Sequence, residues 1–540
     1  MAVAIALAAV VAFAAVLVWL HRRRQLRDER AFLQRTWGLE ISRARAFEAY
    51  REWRGRTPVS KGCDSIDDQT WRDLEMDRVY SRADRTMSTP GRLVLYHLLR
   101  APTSSVATLQ ARDRTIEALA SDRVTRDAVR LELSRLGRSS RSESGLTELL
   151  WGEAPDLGGN LVPSVLAGVA LVSVWSALHF SGIGVLAVAV VFAANGYLHQ
   201  RTRIRHQETI AALIELGALL GAGRRLAAAR HRGLEAYTER LAAGSAATRP
   251  LVFPLARISA GRAVDLVYEY ISILLLLEVR ALRVALRRLR QHLAALRELF
   301  LAVGELDALQ SAGSFRSGLL SWCKPDLSPS GAFLEVKEAV HPLLERATPN
   351  SVGLHGRGCL VTGTNMAGKS TFLRTLGVNA VLAQTLFTCT CARYAASPLR
   401  VLSSMCVADS LAEGKSLYLA EAERLLAIIR SLDSGRPSLC LIDELLAGTN
   451  ATDRSAASSA ILAYLAARDA LVVAATHDPE LAEGLRDRLD GYHFDGAGGG
   501  ASGTAHRLLP GITRERNAVS LLVGLGYPSE ILDRLKAPPR

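Results

Sequence analysis

At 540 residues the chain exceeds one globular unit, and roughly two to four domains of ordinary size are expected. Hydrophobic residues at 49%, charged residues at 22% and a mean hydropathy of +0.14 exclude a disordered chain and point to part of it lying in lipid. The formal charge of +13 suits an anionic partner such as nucleic acid or lipid headgroups, or reflects a chain-wide habit of placing arginine at solvated positions, since only six of the 66 basic residues are lysine.

Residues 1–20 carry no charge and run directly into His21, Arg22, Arg23 and Arg24. Their length matches a hydrocarbon core of about 30 Å, which predicts a transmembrane helix. Because the positive charge follows the apolar stretch, an anchor is favoured over a cleaved signal, and the basic flank belongs on the cytoplasmic side. Residues 21–160 predict a cytoplasmic helical region broken at Thr89-Pro90-Gly91 and Ala101-Pro102. Residues 157–200 contain no Asp, Glu, Lys or Arg. Two apolar arms around Ser181-Gly182, ending at Arg201, Arg203 and Arg205, predict a transmembrane hairpin over 161–198, with a buried helix pair as the alternative. Residues 199–330 predict further long helices, and the run 265–278, bracketed by Asp265 and Glu278, is too short to span and predicts a core helix. From 331 the texture changes to short β-rich runs alternating with helices, at 333–336, 358–362, 438–442, 470–475 and 491–494, which predicts an α/β domain over 331–540. Within it, 496–503 (GAGGGASG) predicts a hairpin loop before 505–509, or else a linker. The seven cysteines are too few and too irregularly spaced for a disulfide framework, and none forms a C-x-x-C pair, so reduced thiols in a cytosolic body are expected.

Chemistry concentrates in this last domain. Gly363-Thr364-Asn365-Met366-Ala367-Gly368-Lys369-Ser370-Thr371 follows the strand-like Gly358–Thr362. Such a loop turns backbone N–H groups towards phosphate oxygens, the next helix points its positive end at them, Lys369 reaches the β- and γ-phosphates and Ser370 holds Mg²⁺. The lysine is one of six, in a chain that otherwise uses arginine. Leu439–Ile442 then form a buried strand ending in Asp443-Glu444, which puts Asp443 where the metal would be and Glu444 where a water could be polarised against the γ-phosphate. Thr476-His477 closes another apolar strand, and His477 is either a surface histidine or a γ-phosphate sensor. Glu413-Gly414-Lys415-Ser416 opens a helix, where Ser416 is a plain cap or an anion contact.

Together these residues resemble the ATPase domain of MutS-type DNA mismatch repair proteins. The loop with Asn365-Met366, Leu373-Arg374, Ala383-Gln384, Asp443-Glu444 with Gly448-Thr449, Thr476-His477, His341-Pro342 and Leu509-Pro510-Gly511-Ile512 carry the likeness. Looser similarity covers Thr89-Pro90-Gly91-Arg92-Leu93 and Glu305-Leu306-Asp307-Ala308-Leu309, which resemble parts of the family's helical core and lever. The resemblance implies a P-loop (ABC-type) α/β ATPase domain, preceded by a mostly helical core and lever region that here carries transmembrane helices. It implies ATP and Mg²⁺ as cofactors, catalytic roles for Lys369, Glu444 and His477, and Ser416 acting in trans in a head-to-tail homodimer. Thr364 departs from the family's proline, and Ala347 stands where many relatives place an aromatic residue. The family's mismatch-reading domain has no counterpart in the sequence. Two outputs are therefore expected: a membrane-anchored ATPase that engages DNA in repair or recombination, or a mechanical ATPase acting on the bilayer or a protein partner. The expected location is the inner or plasma membrane, multi-pass, with the ATPase domain cytoplasmic.

Overall fold

The computed structural model describes residues 2–57, 63–139, 144–153, 155, 157, 160–179, 182–228, 233–260, 266–329, 331–364, 367–405, 417–433, 435–446, 451–494, 506–513 and 526–528. The chain forms two compact units. One comprises Met1–Pro58, Asp84–His97 and Arg114–Ser317; the other comprises Val59–Ala83, Leu98–Asp113 and Gly318–Arg540.

The described secondary structure of the first unit is helical. Its first helix, Ala2–Arg35, joins the apolar stretch and the basic cluster without a break. Leu161–His179 and Ile183–Arg205 pair as an antiparallel hairpin, and both are long and apolar enough to cross a membrane. Their apolar side chains point outward, Leu178 and Ile183 being 78% and 82% exposed. The run predicted as one core helix is instead two. Leu266–Leu274 lies beside the hairpin's second arm, where Asn195 donates to the Leu274 carbonyl at 2.6 Å; Leu276 then adopts a left-handed φ of 49° and Leu277–Gln291 begins. Tyr270 and Ile271 of the first piece remain exposed, so the segment is not core.

The core of this unit lies around the helix Leu293–Ser317, where Phe300 packs edge-on against Trp151 at 5.1 Å and Trp53 joins them. Asp307 is fully buried and accepts hydrogen bonds from the Met87 and Ser88 backbone amides, the Ser88 hydroxyl and Gln310. Burial raises its carboxyl pKa, and those four donors pull against the rise. They also explain Gly91: a Cβ there would stand 2.1 Å from an Asp307 oxygen. The Thr89-Pro90-Gly91 triplet thus starts a helix, Thr89–Arg100, around a buried carboxylate.

Among the described residues the second unit carries ten strands: β1 (Asp326–Leu327), β2 (Phe333–Ala339), β3 (Asn350–His355), β4 (Cys359–Thr362), β5 (Arg393–Ala396), β6 (Arg400–Ser404), β7 (Ser438–Asp443), β8 (Ala470–Thr476), β9 (Asp490–Phe494) and β10 (Leu508–Pro510). Four form a small sheet in the order β1-β5-β2-β3, and six form the main sheet in the order β10-β9-β4-β8-β7-β6. The main sheet is parallel apart from β10. Its central strands are buried on both faces, which is why they read as continuous apolar runs rather than alternating ones. The helices Leu417–Leu432 and Ala451–Ala466 seal one face through Leu425, Ile428, Leu462 and Leu465 against Cys440, Ile442 and Val472. Segments 59–83 and 98–113, far away in sequence, belong to this unit as well.

Candidate functional site

Register brings the motifs together. Thr362 of β4 pairs with Thr476 of β8, and Ala475 of β8 pairs with Asp443 of β7, so three strands end level at their carboxyl edge. In an open parallel sheet this edge is where ligands bind. The glycine-rich loop leaves after Thr362, Glu444 follows Asp443, and His477 follows Thr476. Gly363 and Gly368 hold φ of 147° and 109°, values that side chains with a Cβ resist. The helix Lys369–Ala383 starts there, with nearly every residue of its last three turns buried against the sheet.

Lys369 Nζ donates to the carbonyls of Gly363 at 2.8 Å and Thr364 at 3.0 Å, curling back over its own loop. Burial lowers the ammonium's pKa, and the nearby carboxylates of Glu444 and Asp443 oppose that shift. Asp443 moves the other way. Its carboxyl is raised by burial and by Glu444, against a hydrogen bond from Ser370 and the charge of Lys369. A half-buried carboxylate that a cation would steady, bonded to a hydroxyl, is a donor set that suits a hard divalent ion. Glu444 occupies the left-handed region at φ 52°, with its amide bonded to the Ala475 carbonyl at 3.1 Å. Strain of this kind costs on the order of 1–3 kcal/mol and persists where the surroundings enforce it. The turn carries the Glu444 carboxylate to His477, whose Nδ1 lies 3.3 Å from Oε1. Gly368, Lys369, Ser370, Thr371, Met405, Asp443 and Glu444 line one open cleft. An anionic ligand with a bound cation would find backbone donors, an ammonium, a hydroxyl, a carboxylate and a general base there.

Residues 359–517 match the family model described as MutS domain V. The protein described as DNA mismatch repair protein MutS from Thermus thermophilus is 32% identical over 258 residues, covering 46% of this chain and 31% of that protein. Its namesake from Desulfovibrio desulfuricans is 33% identical over 270 residues, 46% of this chain and 28% of its own length. The C-terminal part of this chain is similar to the MutS family. The chain spans about a third of the length of the MutS proteins it matches.

Within this MutS-like part, Gly363, Thr364, Ala367, Gly368, Lys369, Ser370, Thr371, Asp443, Glu444 and His477 are described where the sequence predicted a common site, and the structure brings Lys369, Ser370, Asp443, Glu444 and His477 onto it. Asn365, Met366, Ser416, Gly448 and Thr449 lie outside the described residues, as does the glycine-rich 496–503. Two features of the site were not foreseen. His506 places Nδ1 2.9 Å from the Ala367 carbonyl, while Asn350 ties this stretch to β3 by donating to the His506 carbonyl and accepting from Leu508. Nothing in the sequence marks that histidine. The second is a clasp from residues 67–75. Asp73, fully buried, accepts from the Ser403 hydroxyl at 2.6 Å and from the amide of the cleft residue Met405 at 3.0 Å. Arg374, on the helix that follows the glycine loop, donates to the Asp73 carbonyl at 2.8 Å. Arg424, on Leu417–Leu432, reaches Asp67, Thr70 and the Ser403 carbonyl. Burial would raise the Asp67 carboxyl, yet the Thr70 hydrogen bonds and Arg424 outweigh it and hold the pKa down.

Proposed function

We propose that the chain is a membrane-anchored ATP hydrolase whose MutS-like P-loop domain binds ATP with Mg²⁺ and turns it over in a head-to-tail dimer. The convergence of Lys369, Ser370, Asp443, Glu444 and His477 at the level ends of β4, β7 and β8 supports this most. Lys369 exchanges its two loop carbonyls for the β- and γ-phosphate oxygens, and the amides of the loop and of the helix start surround the phosphates. Ser370 and Asp443 would hold Mg²⁺, which when bound neutralises phosphate charge. Glu444 accepts a proton from the attacking water, and His477 steadies that carboxylate and meets the γ-phosphate. The water oxygen bonds to the γ-phosphorus and ADP leaves. Ser416 of a second copy completes the site, so hydrolysis needs two chains.

Glu444→Gln in the detergent-solubilised protein tests this reading. ATP binding is expected to persist while hydrolysis falls about 10²–10⁴-fold, the usual contribution of a general base. Light scattering should then show an ATP-trapped dimer. Turnover at the parental rate would remove Glu444 from its role.

The relatives are named DNA mismatch repair proteins. DNA, held mainly through phosphates by the arginine-rich chain, is the partner proposed here. The two outward-facing apolar helices favour a second reading, in which ATP turnover works on the bilayer or a protein within it. Binding to duplex, mismatched and branched DNA across a salt series separates them. Affinity falling steeply with salt supports a phosphate-held clamp, and no binding even at low salt leaves the second reading.

A further inference from the structure

Outside the nucleotide cleft, the second unit gathers three thiols that nothing above employs. Cys323 and Cys389 exchange backbone hydrogen bonds at 2.9 Å in both directions, forming a short antiparallel bridge. This sets the Cys323 Sγ 3.5 Å from the Cys391 Sγ, close for two thiols that are not bonded. Cys389 and Cys391 are fully buried, whereas Cys323 is partly open to solvent. From these positions we infer that Cys323 and Cys391 form a peroxide-reactive pair, Cys323 being the site of attack and Cys391 the thiol that resolves it into a disulfide.

The electrostatics run the same way. Hydrogen bonds from the side chains of Cys389 and Cys391, and from the Tyr394 amide, hold the Cys323 thiol well below its usual pKa against the opposing effect of burial. The contact with Cys323 pushes the Cys391 thiol up, a direction that favours Cys323 as the partner that ionises. A shared metal is the competing use of three cysteines, but among the described residues no three His, Cys, Asp or Glu side chains converge as a ligand set.

The oxidant is a hydroperoxide. The Cys323 thiolate attacks its terminal oxygen, the S–O bond forms as the O–O bond breaks, and the departing alkoxide or hydroxide takes a proton from water. Cys323 is now a sulfenic acid, oxidised by two electrons while the peroxide is reduced. The Cys391 sulfur then attacks that sulfur. The S–S bond forms, the S–O bond breaks, and the hydroxide leaves with the Cys391 proton as water. Closing the gap from 3.5 Å to a disulfide length of about 2.05 Å requires the two sulfurs to shift together. In a reducing compartment such a bridge is transient, and a dithiol reductant restores both thiols.

The bridge would have a mechanical consequence within its unit. Asn379, on the Lys369–Ala383 helix, accepts from the Thr390 amide at 2.7 Å, and Cys389 lies against the Asn379 carbonyl. A Cys323–Cys391 disulfide would therefore fasten the chain at 323 to a segment hung from the helix that carries Lys369.

The test uses the full chain in detergent, exposed to stoichiometric hydrogen peroxide, blocked with N-ethylmaleimide and digested without reduction for mass spectrometry. A Cys323–Cys391 peptide is expected, lost on dithiothreitol treatment. Cys391→Ser should abolish it and raise dimedone labelling of Cys323 at least ten-fold, with an unchanged melting temperature reporting an intact fold. In the native parent, N-ethylmaleimide should modify Cys323 at least ten-fold faster than the buried Cys359 and Cys440. A Cys323–Cys389 link, or Cys323 driven to sulfinic acid with Cys391 untouched, would overturn the assignment. So would equal labelling rates, which need no variant to measure.

Discussion

His341 shows how much a single buried ring can report. It belongs to the His341-Pro342 pair that the sequence singled out, and it is buried with Nε2 lacking a hydrogen-bond partner among the described residues. Burial pushes its pKa down to about 4; Glu75 opposes the shift, and Arg374 and Arg78 reinforce it. A histidine kept neutral in the fold stabilises it fully above the unfolded value of about 6.5, and that stability drains away as pH falls towards 4. The whole effect is on the order of 3 kcal/mol, of which roughly 2 kcal/mol is gone by pH 5. Denaturant unfolding of the parent should thus show a clear drop in midpoint between pH 7.5 and 5, and His341→Gln should flatten that dependence. A parallel pH profile in the variant would show that other groups carry it. The identity of His341, Lys369 and Glu444 was legible because each sits in a short motif. The pKa shifts of His341 and Lys369 were not, because those depend on burial and on neighbours such as Arg78 that only the fold supplies.

Elements divide in the same manner. The strands β4, β7 and β8 were readable because parallel strands covered on both faces are written as uninterrupted apolar runs. The two-residue β1, the exposed β3 and the short β5 carry no such signature, and the small sheet was missed as a sheet. The apolar run 265–278 was misjudged for a related reason: hydropathy gives length, while the left-handed turn at Leu276 is a backbone event. The clasp over residues 67–75 was invisible, since Asp73 and Ser403 meet across a separation of 330 residues. Its energetic weight can be measured. Asp73→Ala leaves the Ser403 hydroxyl and the Met405 amide without their buried acceptor, which costs about 1–3 kcal/mol. The denaturant midpoint of the second unit should fall accordingly. Because Met405 lines the cleft, ATP affinity should also weaken, whereas Arg436→Ala, which removes an exposed ion pair with Asp64, should change neither by a measurable amount. If Asp73→Ala and Arg436→Ala behave alike, the clasp does not brace the cleft.

On the scale of the whole molecule, the sequence's positive hydropathy and its +13 charge are two parts of one pattern. The uncharged stretch 157–200 becomes two helices with apolar side chains facing outward, and the second ends in Arg201, Arg203 and Arg205. In water such a surface exceeds what a soluble monomer normally shows, whereas in a bilayer the arginines sit at the headgroups and the side chains of Val172 and Val190 meet acyl chains. The two environments respond differently to a charge. On an exposed aqueous face, Val172→Arg changes stability by no more than about 0.5 kcal/mol, while near the centre of a spanning helix it costs about 2.5–3.5 kcal/mol. With the predicted anchor 1–20 removed from both, membranes containing the parent chain should retain it through alkaline carbonate extraction, and the doubly substituted Val172→Arg, Val190→Arg chain should shift substantially into the supernatant with its ATP binding intact. Retained ATP binding reports that the unit carrying the nucleotide residues is still folded. A parent chain that leaves the membrane in carbonate would instead make the hairpin an apolar docking surface in water, and its basic flank a feature of a soluble protein.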